Sequence, residues 1–159
     1  MITKFKEQQK FTQWWLWVVL VVIGCLPIIG IYKQLITGAK FGSKPMSNTE
    51  LSLVSLLVFG VIILFWIIKL ETEINTNEVK MRFFPFIKKE VLCKDIKSAK
   101  VVNYGFVGGW GIRLWTAYGT VYNIKGNKGL AIELFNGEKF LIGTQKENEL
   151  KIIVEKTFK

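Results

Sequence analysis

The sequence has no histidine, two cysteines, one aspartate and two arginines among 159 residues. Without histidine, the commonest general base and the commonest metal ligand are missing. Cys25 and Cys93 lie far apart, one in an apolar run and one in the C-terminal domain. They offer neither a disulfide framework nor a zinc site, and a reducing compartment suits them. Asp95, flanked by Lys94 and Lys97, most simply ends a turn. Neither it nor any glutamate has a visible partner for acid–base work. Cys93 has no histidine to activate it, so a buried, inert thiol is expected. Catalytic residues: none; metal ligands: none; cofactors: none. On these grounds the chain is expected not to be an enzyme.

What is present is apolar. Residues 14–32 and 51–68 each run 18 or 19 positions without a charge. At 1.5 Å per helical residue each spans ~27–28 Å, near the ~30 Å core of a bilayer. Trp14, Trp15, Trp17, Tyr32 and Trp66 stand at the ends, where aromatic side chains favour the headgroup belts. Ser47-x-x-Glu50 is a capping box before the second run, and Pro27 is expected to kink the first. Residues 1–69 therefore predict a membrane hairpin, with helices over about 14–36 and 51–68. Val22-Ile23-Gly24-Cys25 resembles a lipoprotein box, yet the apolar run continues past it, which argues against cleavage.

The net charge of +10 divides evenly, +5 in residues 1–69 and +5 in 70–159. Lys4, Lys6 and Lys10 of the N-terminal tail, with Lys69, Lys80, Arg82, Lys88 and Lys89, place eight basic residues on the side of the termini. The loop between the helices has three: Lys33, Lys40 and Lys44. The bias predicts a multi-pass membrane protein with both termini cytoplasmic, so that Lys4 and Lys159 lie inside and Lys40 outside.

From residue 70 the pattern alternates. Leu70, Thr72, Ile74 and Thr76, then Val79, Met81 and Phe83, have the period of half-buried strands, and Pro85 ends the second. Shorter strand patterns follow at 91–93, 96–104, 112–115, 120–124, 130–135 and 138–143. Asn136-Gly137 suits a type I′ hairpin turn. Thr144-x-x-Glu147 suggests a capping box before a final helix, with Leu150, Ile153, Val154 and Phe158 on one face. The order of about seven strands and one helix predicts a small bent antiparallel barrel plugged by the helix.

The strings Phe84-Pro85-Phe86, Gly108-Gly109-Trp110-Gly111-Ile112-Arg113, Tyr122-Asn123, Gly126-Asn127-Lys128-Gly129 and Ile142-Gly143-Thr144-Gln145 resemble a largely uncharacterised bacterial group of two-pass membrane proteins with a C-terminal pleckstrin-homology-like (PH-like) domain. The resemblance covers about residues 70–156. It implies an α+β membrane protein, with a two-helix transmembrane hairpin (1–69) followed by a cytoplasmic PH-like barrel with a C-terminal helix (70–159). It supplies no catalytic or ligand residues.

Candidate contacts come from charge. Lys80 and Arg82 share a strand face, and Lys88 and Lys89 are expected in a loop beyond Pro85. Such a juxtamembrane cluster attracts anionic headgroups by ~1 kcal/mol per residue, although the same residues also satisfy the topology bias. Arg113 offers a bidentate guanidinium for a phosphate or carboxylate, or an ion pair within the sheet. The glycines around Trp110 lack the Gly-Lys-Ser/Thr ending of a phosphate loop. They point instead to a turn that packs Trp110, at least half covered. Pro85, Gly108, Gly109, Trp110, Gly111, Asn136, Gly137 and Thr144 are therefore structural. The expected function is a non-catalytic, membrane-anchored interaction module that engages a protein partner or anionic lipid at the membrane, with no nucleic acid. The alternative is an accessory or regulatory subunit of a larger integral membrane complex, docked through its hairpin. Small residues Gly24, Gly30, Ser55 and Gly60 could serve that docking.

Overall fold

A computed structural model describes residues 3–158. The chain forms two compact units: Thr12–Ile67, and a second built from the residues up to Phe11 together with those from Ile68 onward.

The first unit is the helical hairpin. Helix α1 (Trp14–Ile31) continues as one π turn, Tyr32–Ile36, and α2 runs Asn48–Ile67. The α1 assignment passes unbroken through Pro27, which is buried. The two helices pack through small residues: a Cβ on Gly24 would meet Ile62 at 3.0 Å. Ser55 is buried and donates to the Leu51 carbonyl at 2.6 Å. Trp17 and Trp66 meet edge to face at 6.5 Å. The Ser47–Glu50 capping box forms, with each backbone N–H donating to the other's side chain. Only 22% and 11% of the two apolar windows are buried within the chain. Both helices are long and apolar enough to cross a membrane.

Among its described residues, the second unit holds nine strands and an α-helix. Sheet A has the order β1-β2-β3-β4 and comprises Thr3–Lys10, Lys69–Asn75, Glu78–Phe84 and Ile87–Leu92. Sheet B has the order β5-β8-β9-β7-β6, from Ile96–Asn103 (β5), Gly111–Thr116 (β6), Gly119–Asn123 (β7), Lys128–Leu134 (β8) and Lys139–Gly143 (β9). Helix α3 (Glu147–Thr157) packs on β5, β1 and β8, burying Leu150 and Val154. Ile153 is only partly covered. Phe5, Leu70, Ile74, Met81, Leu130, Ile132, Phe140 and Ile142 are among the most deeply buried side chains.

Several expectations fail here. The closed antiparallel barrel is not formed. A 3₁₀ turn, Cys93–Asp95, separates β4, the last strand of sheet A, from β5, the first of sheet B. β7 and β9 pair in parallel, because β8 intervenes between them in the chain and lies on the far side of β9. Residues 3–10, read from sequence as a tail, are strand β1. They pair with β2 from Lys10↔Lys69 to Thr3↔Asn75. The Asn136-Gly137 turn is not type I′. Only Gly137 has positive φ (+85°), and its N–H reaches the Leu134 carbonyl at 3.0 Å, which makes a type I turn closed by a left-handed glycine. Thr144 does not cap α3. Its buried hydroxyl donates to Glu7 at 2.6 Å and accepts the Lys146 N–H at 3.0 Å, while Glu147 pairs with Lys128 at 3.3 Å.

Candidate functional site

The outer face of sheet A gathers the charges. Its inner face carries Leu70, Thr72, Ile74, Met81 and Phe83, all buried. The alternate residues therefore point outward, and the strand register stacks them in three cross-strand rows about 7 Å apart. The first row is Lys10–Lys69–Phe84. The second is Gln8–Glu71–Arg82–Lys88. The third is Lys6–Glu73–Lys80–Glu90. Their net charges are +2 (two lysines), +1 (two cations, one carboxylate) and 0 (two of each). The positive end is the one from which β1 runs on to α1 and at which β2 begins after α2.

A groove of about 210 Å³ lies on this face, lined by Lys6, Glu71, Glu73, Lys80, Arg82 and Lys88 among others. Lys80 reaches Glu78 at 2.8 Å. That hydrogen bond, with one from Asn75, holds the Glu78 carboxyl below its usual range, and Glu78 in turn raises the Lys80 ammonium. Lys69 pairs with Glu71 and Lys88 with Glu90, each at 2.8 Å. Among the described residues, Lys6 and Arg82 have no ion-pair partner. Arg82 lies over the Phe84 ring at 4.8 Å, a cation–π contact.

Lys80, Arg82 and Lys88 thus come together, but Lys89 does not join them. Lys88 and Lys89 are not in a loop. The turn at Pro85-Phe86 is tight, with the Phe86 N–H on the Phe83 carbonyl at 2.8 Å, so strand pairing resumes at Ile87. Successive strand residues take opposite faces. Lys89 therefore points inward, pairs with Glu138 and sits 4.2 Å over the Phe140 ring.

Arg113 is on edge strand β6 of the other sheet and folds back on its own loop. Its guanidinium donates to the Trp110 carbonyl at 2.9 Å. Gly109 makes room for it: a Cβ there would stand 2.7 Å from the Arg113 terminal nitrogen. Gly108, Gly109 and Gly111 all have positive φ, as the turn demands. Trp110 keeps 39% of its surface exposed, whereas Trp115, at a bulge in β6, is 95% exposed. The Cys93 thiol is pushed up by burial, which disfavours the thiolate. Among the described residues, no three His, Cys, Asp or Glu side chains cluster as metal ligands.

Residues missed from sequence are Lys6, Lys10, Glu71 and Glu73. The alternation of Glu71 and Glu73 in β2 was visible, but their cationic partners on β1 were not, because β1 carries two polar residues, Glu7 and Gln9, on its buried face.

A family model for phosphoethanolamine transferase EptA/EptB matches residues 1–87, which take in β1, both apolar helices, β2, β3 and the turn after it. No match is found among curated proteins. The match overturns two expectations. It replaces the resemblance to an uncharacterised PH-like group, whose barrel the sheet topology also lacks. It also overturns the expectation of a non-enzymatic protein, since the family is one of transferases. With two uncovered apolar helices and more than half its length matched, the chain belongs to the phosphoethanolamine transferase EptA/EptB family.

Proposed function

We propose that this chain is a two-pass membrane protein, with both termini on the cytoplasmic side, whose β domain engages phospholipid headgroups at the membrane surface. Within its family the fitting headgroup is phosphoethanolamine, a zwitterion. The observation that carries this reading is the gradient of charge on sheet A, from +2 at the end joined to the helices to 0 two rows away. Arg82 and Lys88 offer donors to the phosphate. On β2, Glu71 opposite Arg82 and Glu73 opposite Lys80 offer acceptors to the ammonium. The topology rests on two supports. Lys10 pairs with Lys69, so the chain leaves and re-enters sheet A at one end, as a hairpin crossing twice requires. The basic bias then favours the cytoplasm for that side.

The detergent-solubilised full chain, titrated with glycerophosphoethanolamine and followed by NMR, tests the site. A saturable response that Arg82→Glu and Lys88→Glu abolish, and Lys89→Glu preserves, is expected. Equal responses from all variants, or none from the unaltered chain, would refute the site. The alternative of an accessory subunit docked through the hairpin has less behind it: Gly24, Gly30 and Ser55 are used within the hairpin, and only Gly60 has open space around it.

A further inference from the structure

The turn between β3 and β4 lies at the positive end of sheet A, beside the row Lys10–Lys69–Phe84. It carries aromatic residues where hairpin turns usually carry polar ones. Phe86 is 54% exposed, and its ring lies 6.4 Å from the buried Phe83, which backs it. Phe84 is flanked by cations, with Arg82 at 4.8 Å and Lys69 at 5.8 Å from its ring centre. Lys69 follows directly on Ile68, two residues beyond the end of α2, and Lys10 precedes α1 by four. Only those few residues separate this end of the sheet from the two apolar helices. An exposed ring beside a partly covered one that lysine and arginine flank is the composition of a membrane-interface element.

We infer that the β3–β4 tip, Phe84-Pro85-Phe86, is an interfacial anchor. Phe86 enters the headgroup and upper acyl layer, and Lys10, Lys69 and Arg82 stay above it on lipid phosphates. The anchor rests on the headgroup reading for its cations, but its rings act through the hydrophobic effect alone. It would hold the charged rows of sheet A against the lipid surface rather than leave them tethered at a distance.

The test uses the full chain, with Cys25→Ser and Cys93→Ser, in nanodiscs of phosphatidylethanolamine and phosphatidylglycerol. An environment-sensitive fluorophore is placed on Phe86→Cys and, for comparison, on Thr76→Cys in the exposed turn at the far end of β2. The label at 86 is expected to emit to the blue and to be quenched by nitroxide-bearing lipid, while the label at 76 behaves as in water. Equal, water-like emission from both overturns the anchor. A photoreactive benzoylphenylalanine at position 86 keeps an aromatic ring should the cysteine variant misfold. Its lipid adduct supports the anchor, and adducts only to protein overturn it. Arg82→Glu separates the two readings. A label that stays buried in this variant, in a chain that has shown no binding of glycerophosphoethanolamine, leaves the anchor standing and the headgroup site refuted. A label that is water-exposed already in the chain with native Arg82, while that chain binds glycerophosphoethanolamine, does the reverse.

Discussion

At the scale of single residues, the sharpest constraints are on atoms that have no room or no substitute. Gly119 has φ of +75°, and a Cβ there would collide with the Lys139 carbonyl across the parallel β7–β9 pair. Gly119→Ala is expected to cost more than about 2 kcal/mol, from backbone strain and overpacking together, as measured by denaturant unfolding. Glu7 is 5% exposed, and its two oxygens accept the Thr144 hydroxyl at 2.6 Å and the Gln145 N–H at 2.7 Å. Glu7→Ala strands both donors and should lower stability by ~1–3 kcal/mol, with Glu7→Gln retaining part of the loss. At Glu78 the folded carboxyl is held below its ordinary range by Lys80 and Asn75. Its stabilising share is therefore present above the unfolded pKa and fades as pH falls through the folded one. The pair sits at the surface, with the Lys80 side chain partly open to water, so Glu78→Gln should only slightly flatten the acid limb of a stability–pH curve.

Among elements, β1 and α3 tie the chain's two ends into one domain. Phe5 is 1% exposed, in a strand that sequence alone presents as a charged tail. Phe5→Ala should cost ~3–5 kcal/mol, which would be impossible for a tail. Leu150, also 1% exposed, anchors α3 on the sheets, and Leu150→Ala should cost ~2–5 kcal/mol. Helix α3 was visible in sequence by its spacing, whereas its cap was not. The Thr144 hydroxyl proton goes to Glu7, a residue 137 positions away that no local motif includes.

For the whole molecule, the topology makes one direct prediction. In membranes of defined sidedness, with native cysteines replaced, Thr76→Cys should react with an impermeant thiol reagent only from the cytoplasmic side, and Ser43→Cys only from the other. Labelling of both from one side would mean that the helices do not each cross. The position of Lys159, expected inside, lies outside the described residues.

Length, apolarity and strand alternation are local properties, and the sequence by itself determined what depends on them. It determined two spans of bilayer length, most of the strands from Leu70 onward though not the start of β4, the glycine-rich turn at Trp110 and the amphipathic last helix. Pairing is not local. That β1 joins sheet A was decided by the contacts of Phe5 and Glu7 with distant partners, against a pattern in which Glu7 and Gln9 hide the apolar period. Two sheets replace a barrel because a single 3₁₀ turn redirects the chain at Cys93–Asp95. The basic cluster illustrates both limits. Sequence shows that Lys80, Arg82, Lys88 and Lys89 are close along the chain. Only the register between strands turns Lys89 inward, brings Lys10 and Lys69 side by side across 59 positions, and grades the charge toward the end of the sheet at which β1 ends and β2 begins.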